Sequence, residues 1–448
     1  MNFGAFAKAA ELKKRIWFTL GALIVYRLGT YIPLPGIDPV VLQDIFRQNQ
    51  GGVLGMFDMF SGGALRRMTI FALNIMPYIS SSIIMQLMTA VSPQLEALKK
   101  EGETGRKKIN QYTRYGTVLI AAFQAYGISA GLEGMSSSAG PAVTDPGMFF
   151  RFQVVVTLIG GTIFLMWLGE QITARGLGNG ISLIIFVGII AEVPAALAQF
   201  FASGRSGAIS PAVIVGVLVM VIATIMFVVF MERALRKIHI QYPRRQVGMK
   251  VYDGGSSHLP VKVNPAGVIP AIFASSLLLL PITVSTFSGN STNPVMSWLL
   301  ANFGPGQPLY LAFFVLMIVF FTYFYTFNVS FKPDDVADNL KNQNGFVPGI
   351  RPGKKTSEYL EYVVNRILVL GAAYLAAVCL LPEILRGQFA IPFYFGGTSV
   401  LIVVSVTMDT IQQAQSHLLA HQYEGLIEKS QLRGKGAKGR RKRSPVRR

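Results

Sequence analysis

The amino-acid sequence predicts an all-α polytopic membrane protein with ten transmembrane helices. Of its 448 residues, 51% are hydrophobic and only 14% are charged, which leaves too little polar surface for a water-soluble fold of this size. Ten apolar runs are long enough to cross a hydrocarbon core of roughly 30 Å. Basic residues gather in alternate connections between these runs, as expected when one side of the membrane holds the positive loops.

The apolar runs follow one another along the whole chain. The third run is the weakest, because Gln124, Gly127 and Ser129 dilute its apolar character. Because the number of runs is even, both termini are expected on the same side of the membrane. The runs lie near residues 16–32, 69–91, 114–132, 152–171, 181–201, 211–231, 265–288, 309–331, 362–382 and 393–416.

The distribution of Lys and Arg assigns the side. The N-terminus, the connections after the even-numbered runs, their adjoining helix ends and the C-terminal tail together hold 34 of the 41 basic residues. The opposite connections hold six, and Arg27 lies within the first run. The positive-inside rule therefore places both termini and the basic loops in the cytoplasm.

A short apolar segment, residues 53–65, does not fit a simple bundle. It has helix-like content but is too short to span a membrane, and Gly62-Gly63 followed by Arg66-Arg67 separates it from the second run. One interpretation is a helix lying in the membrane interface. The other is a re-entrant segment, whose backbone at membrane depth must be covered by protein or water. The pattern alone leaves both open.

Two connections, residues 232–264 and 332–361, are much longer and more polar than most of the others. In the first, strand-like residues on either side of Pro243-Arg244-Arg245 predict a protruding hairpin. The tail after Ser430 is dominated by Arg, Lys and Gly, a composition that cannot bury a core. We expect this tail to be disordered.

No pattern in the sequence indicates catalysis, a cofactor or a metal. The glycine-rich residues 176–180 lack a preceding strand and a phosphate-binding lysine, so a tight turn between helices is expected there. His417 and His421 are four residues apart but have no third ligand nearby in the sequence. We therefore expect neither enzyme activity, nor a cofactor, nor a metal site.

Ionisable residues within the predicted spans are few. Arg27 and Asp409 are the main ones, and Glu170 and Glu192 lie nearer the helix ends. The alternative function, secondary transport of a small solute, usually requires several such groups near the midplane when it is coupled to protons or ions. Interior salt bridges, or an arginine reaching towards the interface, explain these residues equally well.

Ten ordered segments resemble the SecY family, which forms the channel of the bacterial protein-translocating complex. The resemblance covers roughly residues 8–433. The segments are PLPGI (33–37), MFSGGAL (59–65), NIMPYIS (74–80), KKEGE (99–103), YTRYG (112–116), MWLGEQIT (166–173), NPAGVIPAIFASS (264–276), ADNL (337–340), FVPGIRPG (346–353) and PFYFGGTS (392–399).

The resemblance implies two pseudo-symmetric inverted halves of five spans each, clamped around an hourglass pore. It also implies a passive function, in which unfolded polypeptides cross the membrane and apolar helices leave sideways into lipid. The implied divisions are a cytoplasmic amphipathic segment (1–15), the first half (16–201), the sixth span (202–231), a docking loop (232–264), spans seven and eight (265–331), a second docking loop (332–361), spans nine and ten (362–416) and a basic cytoplasmic tail (417–448).

The resemblance assigns a constriction and a stopper to particular residues. The constriction is a ring of aliphatic side chains, which in this chain are Ile75, Ile79, Ile181, Ile185, Ile272 and Ile402. A narrow apolar collar of this kind excludes water and ions and yields to a threaded chain. The stopper, or plug, matches residues 53–65 and favours the re-entrant interpretation. Its named positions are Met56, Phe57, Met59, Phe60, Ser61 and Gly62.

The resemblance also implies a lateral gate and a docking surface. Candidate gate residues are Ser80, Gln124 and Ser275. Docking to the ribosome or to the SecA ATPase motor is assigned to Arg244, Arg245, Lys250 and Arg351, because a guanidinium pairs with RNA phosphate or with a carboxylate. Met249 stands where related sequences can carry a basic residue, so the hairpin has less positive charge.

The implied partners and location complete the expectation. The small subunits SecE and SecG would accompany the chain, and its substrates would be unfolded preproteins with their signal peptides. The location would be the bacterial inner (plasma) membrane, with the lipid bilayer as the receiving phase for inserted helices.

Overall fold

The structure is a computed structural model of the chain, and most of the residues it describes are helical. The described residues are 10–48, 58, 61–137, 140–207, 210–243, 245–247, 250–252, 255–287, 302, 307–389 and 397–440. The helices are α1 (Ala10–Gly29), α2 (Pro39–Gln48), α3 (Met76–Val91), α4 (Pro93–Lys100), α5 (Glu103–Glu133), α6 (Met148–Arg175), α7 (Gly180–Arg205), α8 (Pro211–Arg233), α9 (Ile269–Phe287), α10 (Pro308–Tyr325), α11 (Pro333–Asn342), α12 (Lys354–Phe389) and α13 (Gly397–Arg440). Two short strands, β1 (Ser136–Ser137) and β2 (Gly140–Pro141), pair between α5 and α6.

Each of the ten predicted apolar runs overlaps one of the long helices, namely α1, α3, α5 to α10, α12 and α13. Among the described residues, six helices are long and apolar enough to cross a membrane by length and composition. Helix α3, with 16 residues, and the apolar part of α9 are shorter. The all-α polytopic fold class is therefore confirmed.

The second helix begins later than its apolar run suggests. The run starts at residue 69, whereas α3 starts at Met76. Met68 and Asn74 have φ angles of 45° and 50°, a left-handed conformation that a helix cannot contain. Pro77 then occupies the first turn of α3, where a missing N–H costs nothing. Residues 62–75, which include the end of segment 53–65, accordingly form a succession of turns before α3.

The helices pack as two groups that meet along two seams. In the first group α1 packs on α6, α6 on α5 and α7, and α5 on α3. In the second group α9 packs on α10, α10 on α12, and α12 and α8 on α13. The front seam joins α9 to α3 and α5, and the back seam joins α13 to α7. One large apolar core runs through both groups.

The glycine-rich residues 176–179 form the predicted turn between α6 and α7. The backbone N–H of Leu177 donates to the Thr19 hydroxyl over 3.0 Å, and that of Gly178 donates to Gln413 Oε1 over 2.9 Å. Asn179 caps α7 by accepting from the N–H groups of Ile181 and Ser182. These donors are occupied by protein groups, which agrees with a structural turn and not a phosphate site.

The two long polar loops fold together into one unit, which we call the platform (residues 235–262 and 333–368). The predicted hairpin is present: β3 (Leu235–Gln241) pairs antiparallel with β6 (Ser256–Lys262), and β4 (Arg245–Val247) pairs with β5 (Lys250–Tyr252). A bridge between Gln241 and Phe346 joins the hairpin to the second loop. A small apolar core containing Ile238, Val261, Ala337, Val347 and Leu360 lies between the two loops.

Both ends of the chain are helical where the structure describes them. Residues 10–15, which lie within the expected amphipathic segment 1–15, belong to the continuous helix α1. Helix α13 continues to Arg440, so the prediction of disorder from Ser430 is wrong for residues 430–440. Adding residues to an existing helix avoids the cost of nucleation, and Gln, Leu, Arg, Lys and Ala all favour helix.

Candidate functional site

The six isoleucines of the predicted ring all belong to, or pack against, the large apolar core that runs through both groups of helices. Five of them, Ile75, Ile79, Ile185, Ile272 and Ile402, are buried, with at most 8% of their surface exposed. Ile181 is half-buried and packs against the same cluster. They come from α3 and its N-cap, α7, α9 and α13, so both groups of helices contribute.

The aliphatic chemistry of these six side chains has a simple consequence. Every side chain in the ring is aliphatic and carries no hydrogen-bonding group. Water and ions that enter such a constriction lose hydration without gaining a partner, so a narrow collar of this type stays dry. The six residues come from four helices, so a relative movement of these helices would change the spacing between the isoleucines.

The plug segment is described only in part. The predicted positions Met56, Phe57, Met59 and Phe60 lie outside the described residues. Ser61 is buried, and its hydroxyl donates to the Asp58 carbonyl over 2.9 Å and accepts from the Leu65 N–H over 3.2 Å. Gly62 lies against α7, where an added Cβ would be 2.9 Å from Gly188 Cα. The end of the segment is therefore packed inside the protein.

The charged residues beside this segment were not predicted to act together. Arg66 Nη2 lies 2.8 and 2.9 Å from the two carboxylate oxygens of Glu192 on α7. Arg66 Nε lies 3.7 Å from Asp58 Oδ2, and Arg27 Nη1 donates to the Gly62 carbonyl over 2.8 Å. Burial raises the pKa of the Asp58 carboxyl to about 6, against the lowering influence of Arg66, so it is mostly ionised at pH 7.

The three candidate gate residues lie on helices of the front seam. Ser80 on α3, Gln124 on α5 and Ser275 on α9 are each at most 7% exposed. The Ser275 hydroxyl donates to carbonyls of its own helix. Gln124 Oε1 is buried and has no hydrogen-bond partner among the described residues.

Two contacts that cross the front seam were not predicted. The Ser276 hydroxyl on α9 donates to Met76 Sδ on α3 over 3.7 Å. Lys99 Nζ on α4 donates to the Asn328 carbonyl over 3.2 Å. Asn328 lies in a π-helical turn, Thr326–Ser330, directly after α10. Neither contact could be found from sequence, because the partners are about 200 residues or more apart in the chain.

The docking residues lie on the platform. Arg244 is outside the described residues, and the strands β4 and β5 place Arg245 and Lys250 in an antiparallel ribbon. Arg351 is exposed and follows a turn in which Gly349 has a φ angle of 82°. Since the platform core contains residues of both loops, the loop that carries Arg351 is packed against the base of the hairpin.

Within the described part of the chain, no group of three or more His, Cys, Asp and Glu side chains is placed to hold a metal ion. The intramembrane carboxylates Glu170 and Glu192 pair with Arg114 and Arg66, at distances of 2.7 and 2.8 Å. Arg27, in contrast, bonds to the Gly62 carbonyl and to the hydroxyls of Thr30 and Tyr31. Salt bridges were expected for such residues, and two of the four intramembrane charges form them.

The chain is similar in sequence to known proteins over nearly its whole length. The protein translocase subunit SecY of Pseudomonas aeruginosa is 54% identical over 431 residues, which cover 96% of each chain. The protein of the same name in Escherichia coli is 52% identical over 429 residues, covering 95% of this chain and 96% of its own.

Solved structures show the same fold at low sequence identity. A SecY protein studied for its plug domain superposes with a TM-score of 0.62 at 18% identity, over 91% of this chain and 92% of its own. The channel of a canine ribosome–channel complex from the endoplasmic reticulum superposes with a TM-score of 0.60 at 17% identity, over the same shares. The family model described as SecY matches residues 69–411, and with the relatives above this establishes that the chain belongs to the SecY family.

Proposed function

We propose that this chain is the pore-forming subunit of the general protein secretion channel. In this role it conducts unfolded polypeptides across the plasma membrane and releases apolar helices into the bilayer. The observation that carries the proposal is that six isoleucines from both groups of helices belong to, or pack against, one apolar core. A collar of aliphatic side chains is suited to a polypeptide, whose side chains vary, and not to one solute with fixed polar groups.

The plug is assigned to segment 53–65. Its described end packs against α7 within the protein, which supports a re-entrant path and not a position at the membrane surface. For one solved SecY protein, the plug domain is said to stabilise the closed state of the channel and maintain a membrane seal. The same role here explains why the backbone at Ser61 and Gly62 is covered by protein.

The lateral gate is assigned to the front seam between α9 and the pair α3 and α5. Polar contacts across it include a hydroxyl on a thioether and a lysine on a carbonyl. Ser80, Gln124 and Ser275 are buried on the helices of this seam. A buried polar atom without a partner, such as Gln124 Oε1 among the described residues, weakens helix packing and so favours separation. Separation of this seam would open the pore to lipid.

Driving force must come from partners, because the sequence offers no nucleotide-binding motif. The SecA motor and the translating ribosome are the proposed partners of the platform, with contacts through Arg244, Arg245, Lys250 and Arg351. The canine relative was solved in complex with a ribosome, which supports the second partner. SecE and SecG are proposed as the accompanying subunits, and preproteins with their signal peptides as the cargo.

The orientation follows from the basic residues. With the platform and both termini in the cytoplasm, 34 of the 41 Lys and Arg face the cytoplasmic side of the bacterial inner membrane. The plug segment then lies on the outer side of the ring. The alternative, a secondary transporter, is not favoured, because the central cluster consists of hydrophobic residues and Glu170 and Glu192 are already paired with arginines.

Crosslinking of a stalled secretory chain tests the pore directly. A photoreactive residue placed at Ile79, Ile185, Ile272 or Ile402 should crosslink to a polypeptide arrested in transit. The matched control is Ile222 on α8, which is 58% exposed on the surface of the bundle and should contact lipid instead. Equal crosslinking from Ile222, or none from the four ring positions, would contradict the proposed pore.

A further inference from the structure

Four charged side chains surround the end of the plug segment. We call this group the clasp, and it consists of Asp58, Arg66, Glu192 and Arg27. Arg66 is at its centre, since its guanidinium lies against both carboxylates and its backbone N–H donates to Asp58 Oδ1 over 2.8 Å. The clasp joins three parts of the chain that are far apart in sequence: the plug segment, α7 and α1.

The Arg66–Glu192 contact is the strongest member of the clasp. One guanidinium nitrogen contacts both carboxylate oxygens, and the side chains are 36% and 15% exposed. Hydrogen bonds between ionised partners in such partly buried positions are stronger than neutral ones. A pair exposed to bulk water would contribute much less.

The backbone of the segment is fitted to this ion pair. Gly63 has a φ angle of 80°, and an added Cβ would lie 2.6 Å from Glu192 Oε1 and 2.9 Å from Arg66 Nη2. The pair therefore lies directly against the chain at the point where the plug segment ends. On the other side, Arg27 of α1 holds the neighbouring Gly62 carbonyl.

Displacement of the segment would leave charges without partners. Glu192 is fixed on α7, whereas Arg66 comes directly after the plug segment and would move with it. Outward movement of the segment would therefore separate Arg66 from Glu192. Glu192 would then be a largely buried carboxylate without its cation, which is strongly unfavourable. Arg27 would lose its carbonyl acceptor at the same time.

We propose that the clasp positions the plug and holds it over the pore in the resting channel, with Arg66 and Glu192 as its ionic contact and Arg27 as its backbone anchor. This inference rests on the proposed function, because it requires segment 53–65 to close the pore. The clasp acts on the resting state alone. Once a polypeptide occupies the pore, the plug is already displaced and the clasp is open.

Three variants test the clasp in the purified complex with its partner subunits: Glu192→Gln, Arg66→Gln and the double substitution. The readout is the fraction of time that single resting channels conduct ions in a planar bilayer. Each single substitution should raise this fraction about tenfold, as expected for loss of one charged hydrogen bond. The double variant should leak no more than Arg66→Gln alone, because Arg66→Gln already removes the contact with Glu192. Arg66→Lys should leak less than Arg66→Gln.

Glu133→Gln is the matched control. Glu133 pairs with Arg151 over 2.6 Å, with side chains 12% and 35% exposed, at the ends of α5 and α6 and away from the plug segment. Loss of this pair should leave the resting conductance unchanged. A rise equal to that of Glu192→Gln would show that any lost interhelical ion pair loosens the channel, and would overturn the proposal.

Deletion of residues 55–65 separates the two levels of the argument. If the deletion makes the resting channel leak while Glu192→Gln and Arg66→Gln remain tight, the plug stands and the clasp is refuted. If the deletion leaves the conductance unchanged, the plug assignment itself fails. Translocation of a chain already in the pore should be unaffected in the point variants, which a general loss of structure would not allow.

Discussion

The substitution Gly62→Ala tests how closely the end of the plug packs on α7. Gly62 has a φ angle of 65°, where a residue with a Cβ costs about 1–2 kcal/mol. The added Cβ would also lie 2.9 Å from Gly188 Cα and 3.1 Å from Gly188 O, which are backbone atoms and cannot turn aside. Overpacking of this kind adds roughly 1–2 kcal/mol. The closed position should therefore lose about 2–4 kcal/mol, a factor of roughly 30 to 700 in the closed-to-open ratio.

The same single-channel recording measures this effect as the fraction of time that the resting channel conducts. Gly207→Ala is the control, because Gly207 has a φ angle of 76° in the connection after α7 and an added Cβ meets nothing within 4 Å. It carries the backbone strain without the contact, and we expect no change in conductance. A tight channel with Gly62→Ala, or an equal leak with Gly207→Ala, would refute the packing of the plug on α7.

Two further substitutions address the platform and the gate. Arg351→Glu should reduce SecA-driven export into reconstituted vesicles at least about tenfold, because it places a like charge against an acidic partner. The control is Lys341→Glu, at an exposed position of the same loop, which should have a much smaller effect. Normal export with Arg351→Glu would remove Arg351 from the docking surface. Gln124→Leu should stabilise the closed channel by about 1–3 kcal/mol, since it removes a buried acceptor without a partner among the described residues. The measurement is the thermal unfolding midpoint, and a lower midpoint would show that the Gln124 amide makes a favourable contact.

Hydropathy and charge were sufficient to predict the framework of this chain. The helices were predictable because each must bury about 20 residues in lipid, a requirement that leaves a long and continuous record in the sequence. The hairpin was predictable because its strands pair locally, with β4 and β5 only two residues apart. The start of α3 was not predictable, because the left-handed φ at Met68 follows from tertiary contacts and not from residue type.

The functional site was predictable in a different way. The six isoleucines were identified by resemblance, since an Ile in a membrane helix looks the same whether it faces lipid, a neighbour or a pore. The clasp was missed, although Glu192 was noticed as an intramembrane charge. Its partner Arg66 is 126 residues away, and no local pattern links the two. The bridge from Gln241 to Phe346 was also missed, because these two residues are far apart in the sequence. The docking loops were therefore treated as separate.

The two seams between the halves differ in their polar contacts. At the back seam, the Gly178 N–H in the turn between α6 and α7 donates to Gln413 on α13 over 2.9 Å, and a Cβ added to Gly178 would lie 3.1 Å from Thr410 Oγ1. At the front seam, the Ser276 hydroxyl donates to a thioether and Lys99 donates to a carbonyl. A thioether is a weak acceptor, and Lys99 is half-buried and makes its hydrogen bond to a neutral carbonyl. We therefore predict that the halves separate between α9 and α3 and stay joined between α7 and α13. Because α7 also carries Glu192, this predicted hinge would be the helix to which we propose that the clasp fastens the plug.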